Sequence, residues 1–141
     1  MTRTPRICDY EGSQYRTDFW EGRGRGYEDR IERDLLAAML PASGRRLLEV
    51  GAGFGRISDE YSMYDQVVLM DYSFSQLQYA RQHHGDDGFL YVAANVYELP
   101  FQPGIFDGAT MIRVIHHMED VPAVLAQIRA TMAPGGIFIL E

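Results

Sequence analysis

The sequence contains no lysine, and all 13 of its basic residues are arginine. A chain without lysine cannot use the phosphate-binding lysine of P-loop NTPases, form a Schiff base or use a lysine as a general base. Its single cysteine, Cys8, excludes an internal disulfide and any metal site built from several thiolates. Phosphate-transfer NTPases and thiolate-metal proteins are therefore disfavoured.

Long apolar runs and net positive charge are also missing. No run approaches the roughly 20 apolar residues of a membrane-spanning helix, and residues 1–9 lack the apolar stretch of a secretory signal. We therefore expect a soluble, cytoplasmic protein. The formal net charge of −7 disfavours non-specific binding to nucleic acid, although nine of the 13 arginines lie in the first 46 positions.

Short apolar runs alternate with segments of helical spacing, and 141 residues with 46% hydrophobic content fit one compact domain. Residues 1–26 have no clear period and are assigned to an N-terminal arm, in which Tyr15 and Trp20 are candidates for a lid. Residues 27–40 predict an amphipathic helix that covers one face of a sheet, with apolar positions repeating every four residues at Ile31, Leu35 and Met39.

Five strands are predicted, at 46–50, 66–70, 89–93, 105–112 and 136–140. Further helices are predicted near 55–64, 73–82 and 120–132. Ser73 with Gln76 fits a capping box, and Asp120 with Pro122 fits a second helix start. This alternation predicts that residues 27–141 form a Rossmann-like, doubly wound α/β domain with a mostly parallel sheet and helices on both faces.

A glycine-rich turn follows the first predicted strand. It reads Glu49-Val50-Gly51-Ala52-Gly53-Phe54-Gly55-Arg56. Glycines at such a turn permit positive φ angles and let backbone N–H groups approach a ligand, whereas an ordinary turn between a strand and a helix needs only one. The segment therefore indicates a binding loop for a small molecule.

Asp71 ends the second predicted strand, where an acidic side chain can accept hydrogen bonds from both ribose hydroxyls. An aspartate that merely opens a turn is the alternative. The loop and Asp71 would serve NAD as well as S-adenosylmethionine, but the dinucleotide fingerprint requires glycine or alanine where Arg56 stands. Glu49 beside the loop suits an ammonium or sulfonium cation better than a pyrophosphate.

With these residues the sequence resembles the class I S-adenosylmethionine-dependent methyltransferases, in particular the type 11 group that acts on small molecules. The resemblance spans about residues 27–141. It implies S-adenosyl-L-methionine as cofactor and a small-molecule methyl acceptor. It also implies that the motif from Glu49 through Gly51, Ala52, Gly53 and Gly55 holds the methionine moiety, that Asp71 binds the ribose, and that Tyr72 flanks the adenine.

Two later segments extend the resemblance. Residues 94–101 resemble the third family motif, in which Asn95 replaces the usual aspartate that contacts the adenine amino group, and the backbone N–H of Val96 would bind the ring. The amide oxygen of Asn95 can still accept a hydrogen bond. Residues 106–120 resemble the motif at the fourth strand, beside the transferred methyl group, with Arg113 and Val114 expected to line the cofactor. Residues 132–140 resemble the turn into the fifth strand.

Adjacent histidines, His116 and His117, follow that fourth-strand motif. Neighbouring side chains point in different directions, so no metal site is predicted. One of the two is a candidate general base, and a hydrogen-bonded structural histidine is the alternative. The sequence shows no nucleophile triad or carboxylate pair, which fits methyl transfer, where alignment supplies much of the acceleration.

The sequence ends with its fifth predicted strand, whereas members of that family continue with two further strands and a helix. We therefore expect a truncated domain whose apolar sheet edge leads to a homodimer or to aggregation. Two alternatives to a methyltransferase remain. They are a non-catalytic module for cofactor binding or interaction, and an NAD-dependent oxidoreductase, against which Glu49 and Arg56 argue.

Overall fold

The computed structural model describes residues 3–20, 22 and 24–141. Its centre is a five-stranded sheet in the order β3-β2-β1-β4-β5, and all four strand pairings are parallel. The predicted parallel α/β fold is confirmed. The strands are β1 (Gly44–Val50), β2 (Tyr64–Asp71), β3 (Phe89–Ala93), β4 (Phe106–Met111) and β5 (Met132–Leu140).

The order of the strands reverses at β1. The chain builds outward from β1 through β2 to β3, and then crosses back to place β4 on the other side of β1. In open parallel sheets, ligands bind in the crevice beyond the carboxyl ends of the strands at such a reversal. The fold therefore directs attention to the loops after β1, β2 and β4.

In the described part of the chain, three α-helices accompany the sheet: α1 (Gly26–Met39), α2 (Phe74–His84) and α3 (Val121–Thr131). Two of them begin where the sequence predicts. The Ser73 hydroxyl accepts a hydrogen bond from the Gln76 N–H at 3.3 Å, and Asp120 Oδ1 accepts one from the Ala123 N–H at 3.0 Å. No helix within the described residues is long and apolar enough to cross a membrane.

Apolar side chains pack against both faces of the sheet because neighbouring strand residues point to opposite sides. Leu47 and Leu69 belong to one cluster, together with Leu36 of α1 and Leu77 of α2. The other cluster joins β1, β2 and β4 to α3, through Leu48, Val50, Met70, Met111, Val124 and Ile128. The helices therefore bury two apolar layers, one on each face of the sheet.

The predicted burial of α1 is wrong. Ile31, Leu35 and Met39 are 42%, 54% and 55% exposed, and the helix buries Glu32 and Leu36 instead. Glu32 is buried because its two carboxylate oxygens form ion pairs with Arg56 and Arg113. These pairs, rather than the apolar repeat, set the rotation of the helix about its axis.

The helix predicted at 55–64 is also wrong, since the chain forms only a 3-10 turn at Ser58–Tyr61. β2 already begins at Tyr64, which pairs with Gly44. The glycine-rich loop uses the residues before the turn, so too few remain for a full helix. β5 likewise begins at Met132 rather than at 136, and a register shift opposite Phe106 and Gly108 accommodates the extra residues.

Candidate functional site

A cavity opens at the carboxyl ends of β1, β2 and β4, where the strand order reverses. Most of the residues predicted for the site line it. They are Glu49, Gly51, Ala52, Gly53, Asp71, Tyr72, Val96, Arg113, Val114 and His117. The predicted residues that do not line it are Gly55, Asn95 and His116. Both Tyr15 and Trp20 lie in its wall.

Residues 3–20, which we call the strap, form the outer wall of the cavity. One anchor is Glu119 after β4, which accepts a hydrogen bond from the Arg6 N–H at 2.6 Å and pairs with Arg3 at 2.8 Å. The other anchor is Ser75 in α2, whose hydroxyl accepts from the Gly12 N–H at 3.1 Å. Between the anchors the strap crosses the cavity, and Ile7, Cys8 and Tyr10 line it. The predicted arm also includes residues 1–2, 21 and 23, which lie outside the described residues.

The glycines of the loop meet different requirements. Gly51 has φ +74°, and a Cβ atom there would lie 2.5 Å from the Val114 side chain. Gly53 has φ +56°, but a Cβ there would meet nothing within 4 Å. Gly51 therefore allows the segment after β4 to approach the loop at Val114, whereas Gly53 is required only for the backbone conformation of the turn. Gly55 lies behind the loop, where its carbonyl is 2.7 Å from His84 Nε2.

Asp71 stabilises the loop from the end of β2. Its Oδ2 accepts a hydrogen bond from the Gly53 N–H, and its Oδ1 accepts one from the Ser73 N–H, both at 2.8 Å. Burial raises the pKa of the Asp71 carboxyl, against the opposing effect of these N–H groups. The N–H of Tyr72 also contributes to lowering this pKa. A carboxylate has about four lone-pair sites, so it keeps room for a further hydrogen bond from a ligand.

Glu49 is only 4% exposed. The Ser58 hydroxyl donates a hydrogen bond to its Oε2 at 2.6 Å. Burial raises the pKa of Glu49 to about 8, although Ser58 and the charge of Arg56 oppose that shift. Before a cationic ligand binds, the carboxyl is therefore mostly protonated at neutral pH.

Gln76 is a cavity residue that the sequence analysis treated only as part of a helix cap. It is 7% exposed, and its side-chain oxygen has no hydrogen-bond partner among the residues that the structure describes. The reciprocal half of the predicted capping box is not formed, because the Ser73 N–H donates to Asp71 instead. The only signal in the sequence that could have indicated it is a polar residue in the first turn of the helix after Asp71.

Asn95 does not line the cavity, although Ala94 and Val96 on either side of it do. Its Oδ1 accepts a hydrogen bond from the Tyr97 N–H at 2.9 Å, which stabilises the turn after β3. The amide oxygen is therefore engaged by the backbone, and Ala94 and Val96 form this part of the cavity wall.

A group of charged residues joins α1 to the cavity, and the spacing of the sequence does not predict it. Glu32 pairs with Arg56 of the loop and with Arg113 at the end of β4, and Asp29 pairs with Arg56 at 2.6 Å. Arg33 extends the group to Asp29 at 2.8 Å and to Asp59 and Glu60 at 2.9 Å.

The two histidines after β4 differ in their positions. His117 lines the cavity, and its Nε2 lies 3.3 Å from the Tyr10 hydroxyl of the strap. Burial and the neighbouring His116 lower the pKa of His117, so its ring is neutral at pH 7. His116 is exposed. No group of three or more potential metal ligands is found among the residues that the structure describes.

Comparison with known proteins identifies the family of the chain. A family model described as a methyltransferase domain matches residues 48–140. The O-methyltransferase cnsE of Penicillium expansum is 30% identical, over 95% of this chain and 52% of the relative. The 27-O-demethylrifamycin SV methyltransferase of Amycolatopsis mediterranei is 29% identical, over 89% of this chain and 49% of the relative. The chain thus spans about half the length of these curated relatives.

A solved structure gives the same result. The crystal structure of an S-adenosylmethionine-dependent methyltransferase from Mesorhizobium loti has 30% sequence identity and a TM-score of 0.69, over 76% of this chain and 51% of that chain. The family model covers more than half of the sequence, including β1 from Leu48, the glycine-rich loop and Asp71. This chain therefore belongs to the methyltransferase domain family, with its Rossmann-like fold and its S-adenosyl-L-methionine cofactor.

Proposed function

We propose that the protein transfers a methyl group from S-adenosyl-L-methionine to a hydroxyl group of a small molecule. The observation that carries this proposal is the convergence of Glu49, the Gly51–Gly53 loop and Asp71 on one cavity at the carboxyl ends of β1 and β2. The hydroxyl acceptor is suggested by relatives whose names specify O-methylation.

The residues of the cavity fit the cofactor. Asp71 has lone pairs for the ribose hydroxyls, and the open space beside Gly53 leaves the loop free to approach the ligand. Glu49 is a buried acid that a cationic amino-acid group would ionise. Tyr72 and Val96 form an apolar wall for the adenine, on the side where Asn95 was expected to contact it.

The bound cofactor supplies an activated methyl group on its sulfonium. The residues of the chain would align the acceptor and provide a general base that takes the proton from its hydroxyl group. His117 is the candidate general base because it lines the cavity and is neutral at pH 7. The Tyr10 hydroxyl at 3.3 Å would hold the ring in place, and the strap would act as a lid through Tyr15 and Trp20.

The structure argues against a dinucleotide in this cavity. A pyrophosphate binds at the N-terminus of the helix that follows a glycine-rich loop. Here a four-residue 3-10 turn, Ser58–Tyr61, takes the place of that helix. Arg56, at the position where the dinucleotide motif needs a small residue, is held in ion pairs by Asp29 and Glu32.

Calorimetric titration with S-adenosylhomocysteine, beside a titration with NAD, tests the cofactor. We expect binding of the former only, and weaker binding by Asp71→Ala and Gly53→Arg. Asp86→Ala is the matched control, since that exposed acid pairs with Arg81 outside the cavity. Unchanged affinity in both site variants would contradict the proposal. Cofactor binding without methyl transfer to a panel of phenols and alcohols would favour a non-catalytic module.

We also propose that the protein self-associates through β5, remains in the cytoplasm and has no nucleic-acid partner. β5 is an edge strand with exposed Ile137 and Leu140, and the net charge of −7 disfavours nucleic acid. An apolar groove runs beside this edge and is lined by Leu125, Ile128, Met132, Phe138 and Leu140. Light scattering should show a dimer that Leu140→Asp dissociates, and a concentrated natural chain that stays monomeric would refute it.

A further inference from the structure

Arg113 lies directly after β4, in the wall of the cavity, with 31% of its side chain exposed. Its Nε pairs with Oε1 of Glu32. A guanidinium has five N–H donors. Within the described part of the chain, neither Nη atom of Arg113 has a hydrogen-bond partner, so one edge of the guanidinium remains available to a ligand.

The backbone of Arg113 is also unusual. Its φ of +58° lies in the left-handed region, and among the described residues it is the only non-glycine there. Such outliers persist where the surroundings hold them, and they are frequent at binding sites. Two contacts hold Arg113: the ion pair with Glu32, and a hydrogen bond from its N–H to the Glu141 carbonyl at 3.1 Å.

Glu32 is 4% exposed and divides its carboxylate between two arginines, with Oε2 on Arg56 and Oε1 on Arg113. The two arginines differ in what remains unpaired. Both Nη atoms of Arg56 are occupied, one by Glu32 and the other by Asp29 at 2.6 Å. Arg113 shares a single carboxylate and keeps its Nη edge. Arg113 therefore keeps both of its Nη atoms unpaired among the described residues, whereas each Nη of Arg56 is already held by a carboxylate.

The same cavity carries a buried acid, Glu49, which a cationic group of a ligand would ionise. With such a ligand bound, the cavity pairs an acid and a guanidinium with groups of opposite charge. The amino-acid end of the cofactor is a zwitterion with an ammonium and a carboxylate. The planar edge of an arginine matches a carboxylate with two parallel hydrogen bonds. We infer that Arg113 binds the carboxylate of the cofactor through its Nη atoms, and that Glu32 is the positioning residue that holds Arg113 there. This inference rests on the proposed function.

The test compares two ligands by calorimetry: S-adenosylhomocysteine, and its analogue without the carboxylate, S-adenosyl-3-thiopropylamine. The natural chain should bind the first roughly 10- to 100-fold more tightly, the range for a hydrogen bond to a charged group. Arg113→Met should lose most of this difference by weakening only the first ligand. Arg113→Lys should retain part of it, since lysine keeps the charge but loses the fork.

The matched control is Arg25→Met. Arg25 and Arg113 lie 5.4 Å and 5.3 Å from the Trp20 ring, but only Arg113 lines the cavity. Arg25→Met should leave the preference for the carboxylate intact. Glu32→Gln should reduce that preference, whereas a merely structural role for Glu32 would weaken both ligands equally.

The outcomes separate this inference from the proposed function. If the natural chain binds neither ligand, the proposed function fails and the inference fails with it. If the natural chain prefers the ligand with the carboxylate and Arg113→Met keeps that preference, the proposed function stands and the role of Arg113 is refuted. Equal weakening of both ligands by Arg113→Met would refute it too.

Discussion

The indole ring of Trp20 covers the guanidinium of Arg56, whose Cζ lies 3.6 Å from the ring centroid. Trp20 belongs to the strap and Arg56 to the glycine-rich loop, and both line the cavity. The indole N–H donates a hydrogen bond to the Tyr15 hydroxyl at 3.2 Å. This contact joins the outer wall of the cavity to the loop that forms its floor.

Because Trp20 is the only tryptophan in the sequence, its fluorescence should report ligand binding. We expect S-adenosylhomocysteine to change the emission, with a midpoint equal to the dissociation constant from calorimetry. Trp20→Leu should remove the signal and weaken binding several-fold, since a cation–π contact contributes about 0.5–2 kcal/mol. Unchanged emission during a titration in which calorimetry detects binding would contradict a position of Trp20 at the site.

The stability of the protein should depend on pH through Glu49. Its pKa is raised from 4.5 to about 8 in the folded protein, so the folded state retains a proton that the unfolded state releases in between. The free energy of unfolding should therefore fall as pH rises from about 4.5 to about 8, and level off above that. Each pKa unit corresponds to about 1.4 kcal/mol.

Glu49→Gln is neutral throughout this range and should be more stable than the natural protein at pH 8 and above. Urea denaturation from pH 5 to 9 measures the difference, and parallel profiles for the two proteins would contradict the raised pKa. Binding of a ligand with an ammonium group should release protons from the natural chain at pH 7 and fewer from Glu49→Gln. Calorimetry in buffers of different ionisation enthalpy detects that release.

Gly51→Ala and Gly53→Ala form a matched pair. Both residues have positive φ, but only the new Cβ at position 51 would overlap the Val114 side chain, at 2.5 Å. We expect Gly53→Ala to cost about 1 kcal/mol from backbone conformation, and Gly51→Ala to cost about 1–3 kcal/mol more from overpacking. Urea denaturation measures both. Adding Val114→Ala should recover part of the loss at position 51 and none at position 53.

Gln76→Leu should have opposite effects on stability and on binding. The side-chain oxygen of Gln76 is buried without a partner, which costs about 1–3 kcal/mol, so the variant should be more stable without ligand. If the amide serves the ligand in the cavity, the variant should also bind S-adenosylhomocysteine more weakly. Thermal denaturation and calorimetry measure the two effects. A gain in stability with unchanged affinity would assign Gln76 to packing alone.

The parts of the fold that depend on local pattern were predicted from the sequence. The observed β3 has the predicted bounds, and Ser73 and Asp120 cap the helices that they were expected to begin. The placement of the glycine-rich loop and Asp71 at adjacent strand ends also followed, because strand order in a parallel α/β sheet is strongly constrained.

The parts that depend on distant partners were not predictable. The rotation of α1 is set by contacts of Glu32 with Arg56 and Arg113, which lie 24 and 81 positions away along the chain. The spacing of Ile31, Leu35 and Met39 does not show that the ion pairs of a buried carboxylate, rather than these apolar side chains, determine which face of α1 is buried. The side-chain oxygen of Gln76 likewise lacks the expected capping partner because the Ser73 N–H donates to Asp71 instead. Helix-capping patterns alone do not predict this competition.

The strap is attached on both sides of the cavity, at Glu119 and at Ser75. If the strap acts as the proposed lid, a ligand enters only when one attachment opens, and the association rate should then reach a plateau at high ligand concentration. The Arg3–Glu119 ion pair is largely exposed, with side chains 73% and 39% accessible, and salt screens exposed pairs. Raising the ionic strength should therefore speed both the entry and the release of the ligand. The time for which the ligand stays bound would then depend on the N-terminal segment rather than on the glycine-rich loop.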